Sequence, residues 1–119
     1  MQNLDYKCMK YGQDIAKQGD KNILRKSLGV LQEDGVYAMF LWLEDKDKER
    51  KIRNILTKLL NDSEIKEFLL GASSTFEKEF NKFCENLQKV AKDIDKLLFM
   101  KKILERTLTY ALYHAKIGE

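Results

Sequence analysis

The chain has 119 residues, 34% charged and 44% hydrophobic, with no proline, six glycines and a formal net charge of +3. That length suits one domain around one core, and the balance excludes disordered, collagen-like and disulfide-rich classes in favour of amphipathic helices. The expected fold is all-α, a compact bundle of about six or seven helices spanning residues 1–119 as a single helical domain.

Asn3 is placed to cap a first helix reaching about Gln18. Its Leu4, Cys8, Tyr11 and Ile15 fall at i, i+4, i+7 and i+11, one buried stripe, and Tyr6, Lys7, Lys10 and Lys17 lie off that stripe. Gly19 suits a helix stop in the left-handed conformation. Asn22 is the candidate start of a second helix with Ile23, Leu24, Leu28 and Leu31 inward and Arg25 and Lys26 elsewhere, ending near Glu33. Asp34 before Gly35 reads as the cap of a third helix, to about Asp45. Its eight apolar residues from Val36 to Leu43 fall well short of the roughly 20 that a membrane span needs. A buried strand would also fit, but only Val36 is β-branched, and Ala38, Met39, Leu41 and Leu43 favour helix.

Residues 45–51, DKDKERK, read as a solvated turn or helix start. A fourth helix then buries Ile52, Ile55, Leu56, Leu59 and Leu60, exposes Arg50, Lys51, Arg53 and Lys58, and ends at Asn61. Ser63 opens a short fifth helix that stops at Gly71. Ser73 or Ser74 caps the next, where Phe76, Phe80, Phe83, Leu87, Val90 and Ile94 keep the spacing of a narrow seam. The last apolar set includes Leu97, Leu98, Ile103, Leu104, Leu108 and Ala111. Either the chain breaks near Asp93, which with Asp95 offers a new cap, or one rod continues. The break is preferred, because a single helix of over about 40 residues is rare in a small domain.

No arrangement reads as a catalytic machine. Cys8 and Cys84 form no CxxC pair, and with His114 the one histidine no zinc site is offered; both cysteines are read as buried thiols. Unpaired cysteines and the lack of a basic-plus-apolar leader over Met1 to Gln18 point to the cytoplasm. Asp45, Asp47 and Glu49 lack the glycine and closing glutamate of a calcium loop, and there is no phosphate-cradling glycine loop or serine nucleophile motif. Arg106 precedes His114 by eight positions, whereas the arginine and histidine of HEPN ribonucleases, which the pair faintly resembles, stand closer together. His114 is therefore expected at or near the surface close to a helix C-terminus, where a partial positive charge is favourable. Neither catalytic residues nor metals nor cofactors are expected.

Charge is segregated along the chain. Residues 1–27 carry six basic and three acidic groups, residues 28–45 none and four, and residues 46–58 six and two. Such alternation suits polyanion contact on some faces and protein contact on others, and also an ordinary solvated surface. The candidate RNA-binding residues are Lys7, Lys10, Tyr11 and Lys17 on the first helix, Arg25 and Lys26 on the second, and Lys101, Lys102 and Arg106 on the last. Lysine and arginine neutralise phosphates without reading sequence, and tyrosines can stack on bases. The competing reading packs the tyrosines against the core and makes the chain a helical adaptor or regulatory protein with no nucleic-acid role, marked by an exposed apolar patch.

Three stretches, LDYKCMKYG, LGVLQEDGVYAMFLWLED and ERTLTYALYHAKIGE, together resemble the small subunit of the Cmr-type (type III-B) CRISPR effector complex. In that family a basic, aromatic-bearing first helix precedes an apolar segment, a polar turn with glycine and an apolar helix. Lys7, Lys10 and Tyr11 match the first-helix pattern, and Asp34 and Gly35 the turn; Leu28 and Gly29 stand where such proteins often carry proline. The resemblance implies a non-catalytic subunit that stacks head to tail with copies of itself beside the other effector subunits. Its basic face would help hold target RNA along the guide RNA, while base pairing supplies specificity.

Overall fold

A computed structural model describes residues 3–118; Met1, Gln2 and Glu119, which enter the leader and C-terminal motif readings, lie outside the described residues. Carboxylate and amide side chains set most of the helix starts by accepting from the free amides of a first turn. Asn3 accepts from the Tyr6 N–H and opens α1, Leu4–Gln18. Asp20 accepts from the N–H groups of Asn22 and Ile23, so α2, Lys21–Asp34, is capped by Asp20 and not begun by Asn22. Asp62 does the same for α5, Ser63–Leu70, which begins at Ser63 and stops at Gly71 as expected. Glu79 caps α6, Phe80–Ala91, and Asp93 caps α7, Ile94–Ile117. The chain therefore breaks at Asp93, with its carboxylate as the cause. The described residues form seven helices and contain no strand.

Glycine makes two of the joints. Between α2 and α3, Val36–Lys46, Gly35 has φ 99 and ψ −176 and no side chain caps α3, a backbone region essentially reserved for glycine. The Asp34 cap expected there is instead the last residue of α2. Gly71, at φ 98, closes α5. Gly19 ends α1 in extended backbone, φ −85 and ψ 153, and not in the left-handed form.

The charged run at 45–51 is less solvated than its composition suggests. Asp47 is 6% exposed, and its Oδ2 accepts from the N–H groups of Ile52 at 2.8 Å and Arg53 at 3.2 Å, holding the entry to α4, Lys51–Leu60. Arg53, expected on the surface, is 2% exposed. Its guanidinium sits 4.6 Å from the Phe83 ring centroid, and Nη2 donates to the Lys78 carbonyl at 2.9 Å. Flat and weakly hydrated, a guanidinium can stack in a core as an ammonium cannot.

The seam expected from Phe76 to Ile94 is interrupted, because residues 71–79 are not helical. Asn61 takes over the backbone there: its Nδ2 donates to the Phe76 carbonyl at 2.9 Å, and its Oδ1 accepts from the Phe76 N–H at 2.8 Å and the Thr75 hydroxyl at 3.0 Å. Asn86 accepts from the Glu77 N–H. With its polar groups satisfied by side chains, an irregular segment can bury Phe76 without helix. Ile94, expected in the seam, is 62% exposed.

All seven helices contribute to one apolar cluster. Within it α1 lies along α7 in the same direction: the Cys8 thiol donates to the Ile103 carbonyl, Gly12 abuts Thr107 and Ala111, and Ala16 and Ala115 line one hollow. Cys8 is buried, and burial pushes its thiol pKa up; Cys84, expected buried, is half-buried, and both are free thiols. Among the described residues no helix is long and apolar enough to cross a membrane.

Candidate nucleic-acid interface

The outward sides of α1 and α7 carry matching stripes. On α1, Tyr6, Lys10, Gln13 and Lys17 recur at i, i+4, i+7 and i+11; on α7, Lys102, Arg106, Thr109 and Tyr113 do the same. The helices are parallel, and the stripes meet at a shallow groove of about 330 Å³ lined by Met9, Gln13, Tyr110, Tyr113, His114 and Ile117. Tyr6 is 57% exposed and Tyr113 61%, so both rings are open to a ligand. A second hollow, of about 460 Å³, continues past the α1 C-terminus and includes Lys17 and His114. His114 is exposed in the last turn of α7, close to where it was expected.

Acidic partners temper the positive charge. Asp5 accepts from the Tyr110 hydroxyl and lies 3.7 Å from an Arg106 nitrogen, and the hydrogen bond to Asp5, helped by burial, raises the Tyr110 pKa. Lys101 is half-buried and pairs with Glu105 of its own helix at 3.9 Å. Lys10, Lys17 and Lys102 are exposed and make no salt bridge among the described residues.

The nine candidates therefore do not form one stripe. Lys10, Lys17, Lys102 and Arg106 lie by position on the outward sides of α1 and α7, and of the four Lys17 lines a hollow there. Lys7 turns toward α5, where its ammonium meets Asp62 at 2.8 Å and Glu64 at 3.2 Å. Tyr11 turns toward α4 and lines another groove, with the Lys10 ammonium 5.5 Å from its ring. Arg25 and Lys26 are exposed on α2 and line neither hollow of the α1–α7 face. Met9, Gln13 and Tyr113 belong to this face and are absent from the candidates; the spacing of Lys102, Arg106, Thr109 and Tyr113 is the signal that could have found the last of them.

Comparison of the chain with protein-family models, with curated proteins and with solved structures gave no match.

The Lys7–Asp62 pair makes a pH prediction. Burial opposes the charged form of Lys7, but the hydrogen bonds and charges of Asp62 and Glu64 outweigh it and raise its pKa. Burial likewise opposes the Asp62 charge, yet Lys7 and the amides of Ile65 and Glu64 hold its carboxyl below the ordinary range. A depressed carboxyl stabilises the fold above its unfolded pKa of about 3.9 and loses that share as pH falls through the folded value. A raised lysine contributes fully below about 10.4 and loses its share above it. Lys7→Ala should cost about 1–2 kcal/mol at neutral pH. Urea unfolding at about pH 7 and about pH 2.5 should show the gap from the parent protein narrowing in acid; an equal gap at both values removes the pair as its source.

Proposed function

We propose that this protein is a non-catalytic helical subunit that holds single-stranded RNA along the outer face of α1 and α7, as the resemblance to the type III-B small subunit implies. Guide and target RNA, the other effector subunits and copies of itself stacked head to tail are its partners in this reading. The observation that carries it is the pair of parallel stripes, which set the open rings of Tyr6 and Tyr113 and the exposed Lys10, Lys17 and Lys102 on the outward sides of α1 and α7, with a groove lined by Gln13 and Tyr113 between them. Tyrosine stacking is tolerant of base identity, and the lysines reach phosphates, which suits a strand whose sequence is read by pairing.

Fluorescence anisotropy of labelled single-stranded RNA, titrated with protein at rising salt, tests this. Binding should weaken steeply with salt, and Lys10→Ala, Lys17→Ala and Lys102→Ala together should weaken it at every sequence alike. The slope of log affinity against log salt should fall by about 0.7 for each phosphate that is no longer neutralised. Arg25→Ala with Lys26→Ala should change it far less. Absence of salt-sensitive binding, alone and with the other effector subunits present, defeats the RNA reading.

The adaptor reading has its own observation: Phe68, Ile94 and Leu98, at 43%, 62% and 56% exposure, stand on α5 and the start of α7, where apolar surface suits a partner protein. Failure of the RNA titration leaves that reading in place.

A further inference from the structure

A concavity of about 820 Å³ lies on a different side of the molecule, between α4 and the non-helical segment 71–79. That volume is within the range of about 300–1,000 Å³ typical of small-molecule sites. Its walls are held in place from both ends. Asn61 binds the backbone of Phe76 on both sides, and the Arg53 guanidinium holds the Lys78 carbonyl. A ligand would meet a preformed site and spend little free energy on ordering the segment.

The lining is cationic. Lys58, Lys78 and Lys82 are exposed around it and make no salt bridge among the described residues. At its edge Arg53 is 2% exposed, its Nε has no hydrogen-bond partner, and the carboxylate oxygen nearest to it, of Glu44, is 3.9 Å from Nη1. A buried cation so incompletely paired projects a positive field through a low-dielectric medium. Two carboxylates oppose it. Glu79 is committed to the first amides of α6, accepting from the N–H groups of Asn81 and Lys82, which leaves Glu77 as the acid with no such tie. The half-buried ring of Tyr11, with the Lys10 ammonium 5.5 Å from its centroid, and the exposed amide of Asn54 complete the lining.

We infer that this groove binds a phosphorylated nucleoside, either a free nucleotide or the 5′-phosphorylated end of an RNA strand. The lysines receive the phosphate through charge-assisted hydrogen bonds. The base packs on Tyr11, and Asn54 offers both a donor and an acceptor to its edge. A bare phosphate would leave most of the volume empty, and an uncharged nucleoside would leave the lysines unused.

Isothermal titration of the full chain with AMP tests this, with adenosine, inorganic phosphate and short RNAs bearing a 5′-phosphate or a 5′-hydroxyl alongside. AMP or the 5′-phosphorylated RNA should bind saturably and more tightly than adenosine, phosphate or the hydroxyl-ended RNA. Lys58→Ala with Lys82→Ala, both exposed positions, should weaken it at least about tenfold, with the circular dichroism spectrum unchanged. Tyr11→Leu should bring AMP toward the affinity of phosphate alone. Binding of AMP marks a free nucleotide as sufficient, whereas binding of the 5′-phosphorylated RNA without AMP marks a strand end. Lys17→Ala with Lys102→Ala should leave the site intact, which separates it from the α1–α7 face. Three outcomes overturn the inference: no saturable binding of either phosphorylated probe, indifference to the 5′-phosphate, or indifference to the removal of Lys58 and Lys82.

Discussion

Arg53→Ala should lower the free energy of unfolding by about 3–5 kcal/mol, because it empties a core position and removes the Lys78 tie and the ring contacts at once. The side chain is among the largest fully buried ones. It stacks near Phe83 and Phe80, donates to the Lys78 carbonyl and stands as the cationic neighbour of Glu44. Burial lowers its pKa, with the Glu44 charge acting against that shift, so the folded state already bears a desolvation cost. Arg53→Met keeps most of the stem volume without burying a charge, and should lose only about 1–2 kcal/mol. Adding Glu44→Gln to it should recover little, since Glu44 keeps Arg50 as its partner at 3.0 Å. Urea unfolding of the three variants separates the contributions: a methionine variant as unstable as the alanine one would show that polar ties, and not packing, dominate here.

Gly12→Leu should destabilise by about 3 kcal/mol and lower the melting temperature by about 10 °C. A Cβ at Gly12 would lie 3.0 Å from the Thr107 carbonyl oxygen, 3.1 Å from Tyr110 Cβ and 3.3 Å from the Ala111 nitrogen. Two of these are backbone atoms of α7 and the third is next to its backbone, so none yields by a side-chain rotation. Gly12→Ala meets two opposing effects, a gain of about 1 kcal/mol in helix propensity and an overpacking cost of about 1–3 kcal/mol. Its net loss should be about 1 kcal/mol. Because both stripes of the α1–α7 face depend on the spacing of these helices, Gly12→Leu should also weaken RNA binding without touching a lysine. Unchanged stability in thermal unfolding of Gly12→Leu would mean that α1 and α7 can separate freely, contrary to the packing at Gly12.

The helices themselves are legible because their causes are local. Apolar residues at 3.6-residue spacing mark the buried faces of α1, α2 and α4, and nearly every inward residue assigned there is buried or half-buried. The helix from Val36 is likewise a matter of composition, with too few β-branched residues for a strand. Helix starts shift where several polar residues stand together, by one residue at α2, capped by Asp20 where Asn22 was expected, and by more at α6, capped by Glu79 where Ser73 or Ser74 was expected. Each such residue can accept a first-turn amide, and only the path of the chain picks one. The seam through Phe76 misleads for a related reason: a helical repeat of aromatic residues marks burial, but Asn61 and Asn86 satisfy the backbone of 71–79 without a helix.

Sequence by itself determined an all-helical chain, the break at Asp93, and the supply of lysines and tyrosines. The destination of each charged side chain was decided by tertiary structure alone. Its place on α1 groups Lys7 with Lys10, yet Lys7 is bound to Asp62, 55 positions away, and Arg53 lies in the core among rings contributed by α6. Periodicity sets the direction in which a side chain leaves its helix, but its partner depends on which helix packs there, and no local pattern carries that information.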